Sequence, residues 1–315
     1  MHIYLLRRGL TALITVLIVA TVVFLILRLL PGDPAQLILG VEAPPERVQE
    51  IRHVLGLDRP LYLQYLVWLK DLCLGNFGKS LRSDETVLAL LFQRIHVTFW
   101  IAFAALLIAL VIALPLGIAA ALRPWSWLDF GSLFLAQLGL AIPSFWLGIL
   151  LILLFAVKLH WLPLMGYVNF ADNPVEWLRH LILPAFALGL IRVAILTRMV
   201  RVSMLEELGK EYVTVARAKG LAERIVILHH ALRNALLPVL TVAGMQFGYL
   251  LGGAIIIEQV FGLPGVGRLL LNAIANRDFP VIQGTVVCIA VAFTALNLAI
   301  DLLYGLLNPK ISVQA

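Results

Sequence analysis

Residues 98–122 read Thr-Phe-Trp-Ile-Ala-Phe-Ala-Ala-Leu-Leu-Ile-Ala-Leu-Val-Ile-Ala-Leu-Pro-Leu-Gly-Ile-Ala-Ala-Ala-Leu, without one charged side chain. A bilayer core of ~30 Å is crossed by about 20 apolar residues in a helix. This run is long enough, and it is apolar on every face, so it reads as a transmembrane helix. Working outward, five more stretches match: 9–30, 132–157, 180–199, 237–257 and 282–306. Pro115, Pro143 and Pro184 fall inside these spans, where neighbouring helices can satisfy the carbonyls that proline frees. The composition agrees, with 62% apolar and 13% charged residues, against roughly 25% charged in an ordinary soluble domain. The expected fold class is an all-α membrane protein with six transmembrane helices.

The first stretch follows Arg7 and Arg8, as a signal peptide would. Its apolar run exceeds the ~7–15 residues of a signal core, and no small-residue cleavage pattern follows it. It reads as a retained anchor. Lysines and arginines in short loops set direction, because they favour the cytoplasmic side. With the N-terminus inside, the inner segments hold Arg7, Arg8, Arg123, Arg198, Arg201, Lys210, Arg217, Lys219, Arg224, Arg233 and Lys310. They hold only Asp129, Glu206, Glu207, Glu211 and Glu223 in opposition, which leaves the whole net charge of +6 inside. Both termini are thus expected in the cytoplasm. Charge placed this way fits insertion in membrane lipid and an inner protein partner. Nucleic acid is not expected, since no groove-reading or base-stacking motif accompanies the charge.

Two regions outside the spans are large. The outer one, 31–97, reads as three short helices forming a cap. The first carries Val48, Ile51, Val54 and Leu55 and stops at Gly56; the second follows Pro60 with Tyr62, Tyr65 and Trp68 and stops at Gly75. The third starts near Ser83 and runs into the second span. This gives an N-terminal unit, 1–97, and a core of five spans, 98–315. The inner region, about 200–236, predicts helices over Met204–Ala218 and Ala222–Leu236, divided by Gly220. Ala216 and Gly220 lie four apart, so on a helix they share one face. A small face admits close approach of another backbone, while Arg217, Lys219 and Arg224 stay wet or pair with a partner.

Catalytic chemistry finds little support. Gly75-Asn76-Phe77-Gly78-Lys79-Ser80 imitates the end of a phosphate-binding loop, but Cys73 stands where the first glycine is needed. Gly262-Leu263-Pro264-Gly265-Val266-Gly267 imitates a dinucleotide fingerprint, but no strand precedes it; it reads as a tight outer turn. Adjacent His229 and His230 point about 100° apart on a helix, and no paired metal-ligand spacing occurs. Cys73 and Cys288 do not form a disulfide framework. No cofactor and no enzymatic activity are expected. Inside the spans only Arg192 and Asp301 are ionisable, both placed toward the cytoplasmic ends. A mid-bilayer charge costs roughly 2.5–3.5 kcal/mol on insertion scales, so each must face protein or water. Ion-coupled carriers place carboxylates near the midplane. None falls there, so the energy source is expected on a partner.

Several stretches stand in a recognisable order: Leu30-Pro31-Gly32-Asp33-Pro34-Ala35, Leu55-Gly56-Leu57-Asp58-Arg59-Pro60-Leu61 and Asn76-Phe77-Gly78-Lys79-Ser80. They continue with Ala216-Arg217-Ala218-Lys219-Gly220-Leu221, Arg233-Asn234-Ala235-Leu236-Leu237-Pro238 and Gly252-Gly253. Pro264-Gly265-Val266-Gly267-Arg268 and Arg277-Asp278-Phe279-Pro280-Val281-Ile282-Gln283 close the series. In these the chain resembles, over nearly its whole length, the dipeptide, oligopeptide and nickel permease family of bacterial ABC importers. The resemblance implies the type I importer permease fold in the bacterial inner membrane. It also implies a second related permease, two ATP-hydrolysing subunits inside, and a periplasmic or lipoprotein solute-binding protein. The chain would form half of the pathway for di- or oligopeptide uptake by alternating access. Nickel chelates or glutathione are the alternative cargoes, and an ion-coupled carrier is the more distant reading.

The resemblance makes Glu211, Thr214, Val215, Ala216, Arg217, Lys219, Gly220, Leu221 and Arg224 the candidate segment that couples to the ATPase. The family pattern there is Glu-Ala-Ala, three residues, then glycine. Thr214 stands at the glutamate position and Val215 and Ala216 at the alanines, so Glu211 is the candidate substitute for the missing acid. Pro264, Gly265, Gly267 and Arg268 are the candidate outer gate.

Overall fold

A computed structural model describes residues 2–29, 34–40, 43–54 and 56–307. Residues 30–33 of the Leu-Pro-Gly-Asp motif, Leu55 and Lys310 lie outside the described residues. Helices make up nearly all of the described chain: α1 (His2–Leu29), α2 (Pro34–Leu39), α3 (Pro45–Val54), α4 (Leu61–Cys73), α5 (Val87–Leu122) and α6 (Trp127–Ala141) come first. They are followed by α7 (Ser144–Leu151), α8 (Pro174–Leu208), α9 (Glu211–Ala218), α10 (Glu223–Ile225), α11 (Leu232–Val260), α12 (Val266–Ala275) and α13 (Phe279–Leu307). Among the described residues five stretches are long and apolar enough to cross a bilayer, and a bent pair of helices passes the same test when taken together.

The bent pair is the expected span 132–157. It is not one helix: α6 and α7, the latter extended by a π-helical stretch over Ile152–Lys158, meet at 97°. Pro143 causes the break. Its ring clashes with a helical residue before it, and Ile142 takes an extended conformation, φ −85° and ψ 121°. Pro115 and Pro184 sit inside α5 and α8 without ending them.

Local signals set the other ends. Thr86 accepts from the Ala89 N–H at the start of α5, and Asn173 accepts from the Val175 and Glu176 N–H groups at the start of α8. Each satisfies donors that the first helical turn leaves unpaired. The expected outer helices appear as α3, α4 and the start of α5, with α2 in addition. The single inner helix expected over Met204–Ala218 is instead the end of α8, a turn at Gly209-Lys210, and α9. The one expected over Ala222–Leu236 is α10, a π-helical stretch over Val226–Ala231, and the first turn of α11.

The core lies where α5, α7, α8 and α11 meet, around Val97, Ile101, Ala105, Leu151, Leu188, Leu250 and Ile257. Small residues bring α5 and α8 together; a Cβ at Gly189 would lie 2.7 Å from the Ala105 carbonyl oxygen. The first helix is attached differently. Fully buried Phe24 of α1 sits 5.3 Å from the rings of both Tyr65 and Trp68 on α4, and Thr21 shares a 2.7 Å hydrogen bond with the Tyr65 hydroxyl. Large apolar side chains such as Leu13, Val111 and Phe134 are more than half exposed. Lipid or a partner chain is the environment in which that exposure is stable.

Candidate functional site

Two clusters at opposite ends of the bundle hold the sequence-predicted residues. At the basic end, α8 and α11 are joined by the α9–α10 hairpin. Val213, fully buried, and Ala216 pack against Val226 and Leu208. Ala216 is thus turned inward, and its small side chain lets α9 lie close against its own chain. Ala216 therefore shares no exposed face with Gly220. The outward set is Glu211, Thr214, Val215, Arg217, Lys219, Gly220, Leu221 and Arg224, all exposed. Gly220 ends α9 at φ +77°, in the left-handed region that residues bearing a Cβ rarely adopt.

Polar contacts hold the hairpin from its rim. Arg217 donates from Nε and Nη2 to the two carboxylate oxygens of Glu223, at 3.2 and 2.7 Å. The Tyr212 hydroxyl donates to Glu207 at 2.6 Å and accepts from Asn234 at 3.1 Å. Burial first, and then the Glu207 carboxylate, push the Tyr212 hydroxyl above its ordinary pKa. Lys210 also pairs with Glu207. One helix deeper, Arg201 of α8 makes a two-pronged ion pair with Asp129 of α6. The Asp129 side chain is 3% exposed, and it also accepts from the Trp125 N–H at 3.0 Å.

At the opposite end, Pro264, Gly265, Gly267 and Arg268 form the turn into α12. Their organiser is Glu258, fully buried near the end of α11. One of its carboxylate oxygens accepts from Thr98 Oγ1 at 2.6 Å and the other from the Arg268 N–H at 2.9 Å. Thr98 in turn accepts from the Val266 N–H at 2.9 Å. A carboxylate and a hydroxyl from two other helices therefore take up the unpaired donors that open α12, where negative charge is favoured. A Cβ at Gly265 would overlap the Glu258 carboxylate. The Arg268 guanidinium donates back to the Gly262 carbonyl at 2.7 Å.

Sequence reasoning missed Glu258, which stands one residue past the span read as 237–257. An acid at the end of an apolar run, followed by Gly265-x-Gly267, was the available signal. A neighbouring contact joins two of the quoted motifs. Ser80 donates to buried Asp278 at 2.5 Å, and the Leu81 N–H approaches the same carboxylate at 3.3 Å. The serine that imitated a phosphate-binding loop is therefore engaged with its own chain.

Arg192 lies near the middle of α8, and adjacent Val193 packs with Ala109 and Ala113, the centre of the 98–122 run. Arg192 donates to Gln246 Oε1 at 2.8 Å and lies 5.9 Å from the centre of the Tyr249 ring. Asp301 pairs with Arg8 at 3.0 Å, tying α13 to α1.

Residues 113–313 match the family described as the binding-protein-dependent transport system inner membrane component. The chain belongs to that family. Residues 1–102 match its N-terminal companion. The permease is 45% identical to a Brucella suis biovar 1 protein named as a peptide transport system permease, covering 97% of this chain and 98% of the relative. It is 41% identical to the dipeptide transport system permease protein DppB of Alkalihalophilus pseudofirmus, over 96% of this chain and 98% of the relative. It is 42% identical to the glutathione transport system permease protein GsiC of Salmonella typhi, over 98% of both. The crystal structure of an amino acid ABC transporter matches with a TM-score of 0.51 at 15% identity, over 70% of this chain and 94% of that one; that likeness concerns fold alone. The permease is a multi-pass inner-membrane component of an ABC transport system.

Proposed function

We propose that the permease forms half of the membrane pathway of an ATP-driven importer of di- or oligopeptides. A second related permease completes the pathway, two ATPase subunits bind below, and a solute-binding protein delivers cargo from outside. The exposed α9–Gly220–Leu221 edge carries this reading. It presents apolar Val215, 51% exposed, and Leu221, 38% exposed, among Arg217, Lys219 and Arg224. An apolar centre with a charged rim is the composition of a protein interface. The segment joins α8 directly to α11, so force applied there reaches two long helices of the core. The positive-inside bias supports a cytoplasmic position for it. ATP-driven closure of the ATPases would then rock the helices between inward- and outward-open states.

Peptide cargo follows from the relatives named for peptide and dipeptide transport. Glutathione is a second cargo of the same chemistry, favoured by the relative named for it. The turn from Pro264 to Arg268, held by Glu258, is the proposed outer gate element.

The test is Val215→Asp, an exposed position with no predicted effect on folding. The complex should lose its ATPase subunits during purification in mild detergent, and peptide-stimulated ATP turnover should vanish, while the two permeases stay paired. An intact complex with unchanged stimulated turnover would refute docking at this edge. Gly220→Phe is a weaker test, since the strained backbone there confounds folding with docking.

A further inference from the structure

Arg192 is a cation inside a candidate membrane span, without an acid. No carboxylate among the described residues pairs with it; its contacts are the neutral Gln246 amide at 2.8 Å and the face of Tyr249. Its Nε is buried with no hydrogen-bond partner. Gln246 is 7% exposed, and its amide orients the guanidinium without neutralising it. A charged guanidinium inside an apolar span is not stable against lipid. The face it shares with Tyr249 must therefore meet protein or water.

The surroundings leave room for water. Tyr249 is 52% exposed, and one turn further along α11 a Cβ at Gly252 or Gly253 would meet nothing within 4 Å. An aromatic side chain with a polar tip beside side-chain-free backbone leaves room and a hydroxyl for a polar cargo.

We infer that Arg192, oriented by Gln246, is a binding residue of the translocation pathway that engages the free carboxylate of the passing peptide. This deepens the proposed function and rests on it. Guanidinium and carboxylate match geometrically and in charge, and peptides and glutathione both carry the carboxylate. The neutral amide partner suits a transient station: a built-in acid would compete with the cargo, and a closed cage of donors would retain it.

The test uses the reconstituted complex with its solute-binding protein and a synthetic mixture of random di- to pentapeptides, half of it C-terminally amidated. Uptake of each form is measured by mass spectrometry and divided by its occupancy on the binding protein. In Arg192→Gln the acid-to-amide uptake ratio should fall about tenfold, the effect of one lost charge-assisted contact. Arg192→Lys should keep most of the preference. Gln246→Glu supplies a resident counter-ion and should lower the ratio in the same direction, even where Arg192→Gln assembles poorly. A ratio unchanged in Arg192→Gln and Gln246→Glu overturns the assignment. So does an equal fall in both peptide forms, which would place Arg192 against the second permease. Wild-type complex without ATP-dependent uptake of either form overturns the importer reading itself, a result distinct from unchanged selectivity.

Discussion

The two ends of the bundle are fastened in opposite ways. At the α12 end the turn itself contains the buried anchor: the Glu258 carboxylate reaches Thr98 and the Arg268 N–H with no water exposure. At the hairpin end the buried anchor, Asp129–Arg201, lies one layer below. The hairpin beyond it is held by a small apolar cluster and by exposed pairs such as Arg217–Glu223. Buried hydrogen-bonded charge is costly to disrupt, whereas exposed pairs contribute little. The contrast suits a device with one end of fixed geometry and one end able to take its final shape against a partner.

The largest effect is expected from removing the deep anchor. Asp129→Ala leaves Arg201 largely buried and uncompensated, a change that costs about 3–5 kcal/mol. Thermal unfolding in detergent should move down sharply. Adding Arg201→Leu should recover part of the loss, because the orphaned charge is then gone. If Asp129→Ala melts with the wild type, the pair is not the anchor and the contrast between the ends fails.

Much of this was legible in the chain. Crossings follow from apolar runs alone, since lipid selects for run length, and the left-handed stops at Gly56, Gly75 and Gly220 were readable because few other residues fit. Bending was not. Hydropathy treats Pro115, Pro143 and Pro184 alike, and only packing decides which of them a helix survives. Buried polar partners were equally hidden: Thr98 and Glu258 are 160 residues apart, so neither predicts the other. Ala216 shows the same limit, because its burial depends on Leu208 and Val226, which its own helix does not reveal.

A smaller effect sharpens the outer side of the comparison. In Gly265→Ala the new methyl group overlaps the Glu258 carboxylate, and overpacking of this kind costs about 1–3 kcal/mol. Glu258→Ala removes the carboxylate and its hydrogen bonds, and is itself destabilising. The double variant should be more stable than the sum of the two losses predicts, because the clash no longer exists. Melting temperatures of the four proteins give the coupling directly. Strict additivity would mean that the two residues do not meet in the folded protein.

The smallest effect on stability, and the most informative about the hairpin, belongs to Arg217→Gln. Both partners are exposed, Glu223 at 55%, so the melting temperature should stay at the wild-type value in low and high salt alike. Coupling should respond differently if the exposed cations meet the ATPase. Peptide-stimulated ATP turnover in proteoliposomes should then fall and become less sensitive to added salt, since one screened attraction at the interface is missing. A variant that melts early would make Arg217 a structural residue and erase the difference between the two ends. One that melts normally and keeps wild-type turnover with wild-type salt dependence would leave the contrast standing but move the docking contact away from Arg217, toward Lys219 and Arg224.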